Sequence, residues 1–524
     1  MRKQTKLVAV LSAAALLAIG ASMTSMAATG WTQQDGQWYY VDNSGDYVYD
    51  EWKKSGNSYF YLGDDGAMMT NALIQDGDNY YYVDANGAMV KSQWIQIAAD
   101  DSEDQDVEYR WYYFGSTGRA YRATSNFTKK TINGKKYAFD SEGKMLFGFV
   151  TSDGTMTNQD TDPVLNAEYY FGSNEDGAMY TGWLNYTEGV DDSEYDGDDS
   201  LWFYYNPSNG QKYAKRTDKK INGYYYTFDE NGVMQTEWQD GATKTIYKGA
   251  YATEATASKY YNGTDQGWKE KKSWVWAVPS EDISQEDNDD DQYRWFYVGS
   301  DGNTTIAQSK RINGKWYMFD EVGRMKSGLL ELDADKINDA ERVIKAFDSD
   351  EDDVDAVYSD EVSGNLYYFG DEETDGAMKT GSSVKVEMAD DTYTMGFYKT
   401  GKAYAGVENN KLYRKGVLQT AGDMRYKAVR YNDQVYVVGT TGTIVKAKNV
   451  AKDADDNYFA VRKEGNATVV YFVEADDAAA TIARGLAQGK KSVKYDGTDY
   501  DLRGDVTSYY HIVSNAGAAG EVDM

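Results

Sequence analysis

Gly30–Gly45 reads GWTQQDGQWYYVDNSG. A Gly-Trp pair opens it, Asp35-Gly36 interrupts it, the aromatic run Trp38-Tyr39-Tyr40 follows, and Gly45 closes it. Aromatic segments flanking an Asp-Gly dipeptide signal a β-hairpin, because that dipeptide accepts the positive φ a tight turn between twisted strands requires. The pattern returns with a period of 21: Trp31, Trp52, Leu73 and Trp94 are evenly spaced, as are Trp38, Tyr59 and Tyr80, and Gly45, Gly66 and Gly87. Such self-similarity identifies a repeat architecture.

From Trp94 onward the unit lengthens and occurs three times. Trp94, Trp183 and Trp274 correspond, as do Trp111, Trp202 and Trp295. Ile132, Ile221 and Ile312 open Asn-Gly turns in KKTINGKKYAFD, DKKINGYYYTFD and SKRINGKWYMFD, and Met145, Met234 and Met325 follow at one offset. Phe149, Trp238 and Leu329 start a third hairpin, whose second strand begins at Tyr169, Tyr260 and Tyr367. Later segments keep the pattern without the largest rings. GFYKTGKAY and VYVVGTTGTIVKA are echoes, no Trp occurs after Trp316, and DDAAATIARGLAQG reads as the one helix. A lone hairpin is marginal in water, so stacked neighbours must bury the alternating aromatics. The expected fold is all-β, an elongated solenoid of stacked β-hairpin repeats with acidic tip insertions and a small C-terminal cap. Its expected divisions are a signal peptide at 1–27, short repeats at 28–93, three long copies at 94–381, and degenerate repeats with the cap at 382–524.

Composition narrows the function classes. Tyr, Trp and Phe supply 15% of the chain, with 50 Gly and only 3 Pro, which suits many short strands joined by tight turns. MRKQTK followed by LVAVLSAAALLAIGAS reads as an export leader, with Ser25 and Ala27 placing cleavage after Ala27. Loss of the leader's three basic residues takes the formal charge from −31 to −34. That charge excludes nucleic acid and anionic lipid as partners, and membrane insertion is not expected once the leader is removed. A wall ligand must then present a cation or a neutral sugar, or reach the protein through bound divalent ions. The absence of cysteine removes disulfides, thiolate metal sites and a Cys nucleophile.

The quoted units resemble the cell-wall-binding, or choline-binding, repeats of Gram-positive surface proteins and phage-type lysins, most fully over residues 30–91. The resemblance implies aromatic cages for a quaternary ammonium between neighbouring hairpins. Ring faces attract such a weakly hydrated cation by about 0.5–2 kcal/mol each. Carried onto this chain, the cage pairs are Trp31 with Trp38, Trp94 with Trp111, Trp183 with Trp202, and Trp274 with Trp295, while Met68 and Met89 stand where a cage would close. Tyr59, Tyr80 and Leu73 depart from the family's Trp positions. A ring at fixed repeat spacing is more often core than ligand wall, so both roles stay open for each.

Acidic stretches, DDSEDQD, DDSEYDGDD and SEDISQEDNDDD, interrupt the Trp hairpin in all three copies, and FDSDEDDVD precedes Tyr367. Asp192, Glu194 and Asp196 with Gly197 begin like an EF-hand loop, but Phe203 stands where a bidentate Glu is needed. Solvated loops are expected, with weak Ca²⁺ bridging to anionic polymers as the alternative and no cofactor otherwise. The sole histidine, His511, lies in SYYHIVS, and no catalytic triad, zinc ligand set or phosphate loop is legible. The leading expectation is an exported, non-catalytic protein of a Gram-positive-type surface. It would bind wall teichoic acid or polysaccharide, choline-bearing or not. The alternatives are an adhesin for α-glucan or a host glycan, and an accessory protein of a hydrolase.

Overall fold

The computed structural model describes residues 29–99, 107–191, 195, 200–263, 266–370 and 376–522. The leader and its cleavage position, the first acidic stretch, and Asp192, Glu194, Asp196 and Gly197 lie outside these residues. The chain divides into two units, 1–235 and 236–524.

Unit one is a succession of antiparallel two-stranded hairpins. Gly30–Gln34 pairs with Gln37–Val41, Glu51–Ser55 with Ser58–Leu62, and Ala72–Asp76 with Asn79–Val83. Gln93–Ala98 then pairs with Tyr109–Phe114, Thr128–Ile132 with Lys135–Phe139, and Gly182–Tyr186 with Leu201–Tyr205. The turns are the ones the dipeptides predict. Asp35-Gly36 has φ of 50° and 84°, and Asn133-Gly134 has 49° and 82°. After most hairpins comes a second turn closed by an aspartate. Asp140 Oδ1 accepts the N–H of Glu142 (2.9 Å) and Lys144 (2.8 Å), and Asp229 Oδ1 accepts those of Asn231 (2.9 Å) and Val233 (2.8 Å).

Those turns join neighbouring hairpins. The backbone N–H of Met68 donates to the Trp38 carbonyl of the preceding hairpin (2.7 Å), Met89 to Tyr59 (2.8 Å), Ala120 to Tyr80 (2.8 Å), Met145 to Trp111 (2.8 Å) and Met234 to Trp202 (2.8 Å). The same bond recurs in unit two from Thr304 to Ser258 (2.7 Å) and from Met378 to Trp316 (2.8 Å). Each bond satisfies part of a strand edge that a lone hairpin would leave open. Packing repeats with it, as Met68 lies under Gly87 of the next turn, leaving no room for a Cβ there. Fully buried Leu62, Val83, Phe114 and Phe139 form the spine between hairpins.

Unit two continues the hairpins and then changes character. Glu237–Ile246 pairs with Thr253–Tyr261, placing Trp238 opposite Tyr260, and Ser273–Ala277 pairs with Arg294–Val298. Gly328–Leu332 pairs with Leu366–Phe369 as the sequence suggests, but Val343–Phe347 adds a third strand on its other edge. Beyond it stand a five-stranded sheet over 381–418, a three-stranded sheet containing Tyr426–Tyr431, and a four-stranded sheet containing Tyr458–Glu464. The expected helix is Ala479–Ala487, whose Ile482, Ala483 and Leu486 pack with Tyr471, Val473 and Leu502. His511 sits on a strand of that last sheet opposite Phe472, with ring centroids 5.4 Å apart. Among the described residues no helix is long and apolar enough to cross a membrane.

Gly87→Ala should expose the packing beneath the turn. The new Cβ would meet Met68 Cε at 2.7 Å at a φ of 77°, whereas Gly134→Ala, at a φ of 82°, meets nothing within 4 Å. Backbone strain of about 1–2 kcal/mol is expected for both. Overpacking of about 1–3 kcal/mol more is expected for Gly87→Ala alone. Denaturant titration of the two variants should therefore differ by that second amount.

Candidate ligand-binding site

Antiparallel register fixes the tryptophan geometry. Trp94 lies opposite Tyr113 and Gln96 opposite Trp111, so the two indoles occupy one hairpin face on a diagonal. The same register sets Trp183 against Trp202 and Trp274 against Trp295. Their centroids are 6.3, 6.3 and 6.1 Å apart and their planes nearly perpendicular, at 89°, 82° and 88°.

In each copy the next hairpin supplies a further wall. Tyr137, Tyr226 and Tyr317 each stand 4.8 Å from the first Trp of the pair, at interplanar angles of 63–67°. Phe139, Phe228 and Phe319 follow at 5.8–5.9 Å. The first Trp is thus walled by its pair partner, a tyrosine of its own hairpin and two rings of the next. Of the second indoles, Trp111 meets the rings of Trp94 and Tyr109, and Trp295 those of Trp274 and Trp276. Among the described residues the buried Trp111 Nε1–H has no acceptor. All six indoles are half-buried. Burial raises the Tyr137 and Tyr226 phenols above their ordinary value, so these walls stay neutral near pH 7. The signal for them was a Tyr-x-Phe-Asp ending shared by the three Asn-Gly hairpins.

The remaining sequence candidates are placed differently. Trp31 and Trp38 share the diagonal register, but Trp31 packs on Tyr40 (5.4 Å) and on Phe60 (5.3 Å), and among the described residues Trp38 makes no ring contact. Met68 lies beneath Gly87, and Met89 beneath Gly118. In the second short repeat Trp52 Nε1–H donates to Asp76 Oδ2 (3.1 Å), while Lys54 and Lys91 Nζ lie 5.7 and 5.1 Å from the Tyr59 ring centroid. That ring already holds cations of the chain itself.

The choline-binding repeat model matches residues 28–72 and 52–94. Residues 28–94 are choline-binding repeats. The chain is also similar to glucosyltransferase-I of Streptococcus downei, 24% identical in an alignment of 406 residues that covers 63% of this chain and 24% of that enzyme. The chain therefore spans about a quarter of that relative's length. Among solved structures it is similar to choline binding protein F of Streptococcus pneumoniae, with 18% identity, 73% of this chain, all of that one and a TM-score of 0.28. It is similar also to the modular autolysin LytC of the same organism in complex with a synthetic peptidoglycan ligand, with 19% identity, 58% of this chain, 54% of that one and a TM-score of 0.31.

Among the described residues, Tyr195 of the second acidic stretch and Ser280–Asp291 of the third pack against the fold. Tyr195 is buried, its hydroxyl donating to Asp229 Oδ2 (2.6 Å). In the third copy Ser280–Asp291 departs from the expected solvated loop, because Gln285–Asp289 is a short helix capped by Ser284. Asp287 is buried between Arg294 (2.8 Å) and Arg324 (2.8 Å), and Arg324 also bonds Asp320 (2.8 Å). Among the described residues no group of three acidic, His or Cys side chains converges as a metal would need.

Burial alone would raise the Asp287 carboxyl, but hydrogen bonds from Arg294 and Arg324 outweigh it and bring the pKa down to about 2. With a depressed folded-state value, its stabilisation is complete above the ordinary Asp range and lost as pH falls toward about 2. Asp287→Asn should free the insertion at neutral pH. Limited proteolysis should then cut within 278–293 of the variant and not of the parent.

Proposed function

We propose that this chain is an exported, non-catalytic protein of a Gram-positive-type cell surface that holds wall polymers by quaternary ammonium groups of the choline type. The observation that carries this reading is the threefold recurrence of one constellation: two nearly perpendicular indoles about 6 Å apart with a tyrosine of the next hairpin against the first. Perpendicular neutral faces suit a roughly spherical, weakly hydrated cation better than a flat or strongly hydrated one. The net charge of −31 favours the same ligand, since it attracts a positive group and repels bare phosphate. Teichoic acid or polysaccharide bearing such groups is the proposed partner. The strand setting of His511 and the repetition of the acidic loops support binding rather than chemistry.

The indoles of a pair divide the work. Trp94, Trp183 and Trp274 join core and cage, whereas Trp111, Trp202 and Trp295 are proposed as the ligand-facing walls. Trp31 and Trp38 are proposed as a lesser site, with Met68 and Met89 contributing through the stacking of turns.

Choline-derivatised resin tests this. The parent should be retained and released by free choline. Trp111→Ala, Trp202→Ala and Trp295→Ala combined should abolish retention with little change in melting temperature. Trp94→Ala should instead cost about 3–5 kcal/mol of stability, as deletion of a packed large ring does. Unchanged retention of the triple variant would refute the assignment.

A further inference from the structure

The hairpin after the Trp94–Trp111 pair repeats the register of that pair with lysines in place of indoles. Lys129 lies opposite Ala138 and Thr131 opposite Lys136, the diagonal that Trp94 and Trp111 occupy one hairpin earlier. Both ammonium groups end on the turn that follows the Trp202 strand. Lys136 Nζ donates to the Ser208 carbonyl (2.9 Å) and Lys129 Nζ to the neighbouring Asn209 carbonyl (2.9 Å). Lys129 Nζ also stands over the Tyr169 ring, 3.7 Å from its centroid. Among the described residues neither lysine has a carboxylate partner, in a chain of formal charge −31. Counted from the Asn-Gly turn, the second copy has Asp218 and Tyr225 at these places and the third Ser309 and Trp316. The repeat therefore does not demand the pair.

We propose that Lys129 and Lys136 form a binding site for a phosphate oxyanion, the group that a polyol-phosphate chain carries along its length and inorganic phosphate presents alone. An ammonium has three donors and the turn carbonyl takes one, so the remaining donors of the two converging groups can share one tetrahedral anion. Lys136 lines a cleft of about 420 Å³ with Gly134, Tyr180, Thr181 and Pro207, which gives the anion an approach. Asp176, on the same cleft, is paired with Lys135 (3.4 Å), and that pairing offsets its charge. Burial and the charge of Lys136 bring the Lys129 pKa down to about 8. An anion bridging the two ammonium groups would relieve that repulsion.

The acidic balance of the chain does not forbid such a site. Exposed charges are screened beyond about 8 Å at physiological ionic strength, so the lysine pair dominates the field that an anion meets at contact. The pair is also held in place before binding, each amine by a carbonyl of one turn, so little side-chain freedom remains to be lost. The proposal does not depend on the ammonium reading, because neither lysine belongs to a Trp pair.

The test uses the full chain with Lys129→Gln and Lys136→Gln combined, since a glutamine amide can still donate to the turn carbonyl but carries no charge. Lys219→Gln with Lys220→Gln, on the corresponding hairpin of the second copy, is the control. Equilibrium dialysis is run at constant ionic strength with inorganic phosphate, with a glycerol-phosphate oligomer and with acetate. Parent and control should bind phosphate or the oligomer, and the Lys129/Lys136 variant should bind it about ten times more weakly or not at all. Retention on choline resin should not change. In the parent itself, phosphate or the oligomer should slow acetylation of Lys129 and Lys136 by acetic anhydride, read by peptide mass spectrometry, which needs no variant to fold. Binding of the oligomer alone assigns the site to a chain, and binding of inorganic phosphate to a free anion; either sustains the proposal. It is overturned if neither binds the parent or protects the two amines, or if acetate binds as tightly. It is equally overturned if the Lys129/Lys136 variant binds undiminished, or if the control loses as much.

Discussion

One backbone hydrogen bond holds the repeats together, the bond from the turn after a hairpin to the hairpin before it, most often to the carbonyl of an aromatic residue. It recurs from Met68–Trp38 onward at 2.7–2.8 Å through the short and long repeats of unit one. A two-stranded hairpin cannot bury enough apolar surface alone, and its edges are unsatisfied. The bond cures both faults, tying one edge and setting the spacing at which Leu62, Val83, Phe114 and Phe139 meet the neighbouring face. Where the donor is Met145 or Met234 the acceptor is the carbonyl of Trp111 or Trp202, so the stack and the candidate site share a residue.

Specificity then follows from what each repeat places on the remaining face. Trp274 and Trp295 stand nearly perpendicular, Trp276 lies 38° from parallel with Trp295, and a lysine laid over Tyr59 fills the ring of a repeat that lacks the second Trp. Small changes on a fixed backbone thus produce different sites. The acidic insertions extend this logic at the tips. Tyr195 on Asp229 and Asp287 with Arg324 on Asp320 both fasten a tip to the turn aspartate of the next hairpin.

Much of this was legible in the sequence because it repeats. The period of 21, the Asn-Gly turns and the pairing of Trp238 with Tyr260 across a long gap all appear as recurring residues, and recurrence reports geometry. What does not recur was hidden. The strand Val343–Phe347 has no counterpart in the other copies, nor does Trp276. The helix Gln285–Asp289 was obscured differently: a run of acids reads as solvated unless the arginines that bury one of them are known, and Arg324 stands far along the chain. The exposed amides at Gln96 and Asn185 gave no hint that their counterpart would be an indole stacked on Trp295.

The account stands or falls on which indoles meet the ligand. The chain has 13 tryptophans, and the Nε1–H groups of Trp52, Trp238 and Trp268 are bonded to Asp76, the Val278 carbonyl and Glu270. Selective ¹⁵N-tryptophan labelling followed by a choline titration would read each indole separately by its Nε1–H resonance, assigned by single substitutions. Saturable shifts confined to the pairs Trp94–Trp111, Trp183–Trp202 and Trp274–Trp295, with Trp52, Trp238 and Trp268 unmoved, are the predicted result. No shift at any pair, or shifts centred on the three bonded indoles, would contradict it.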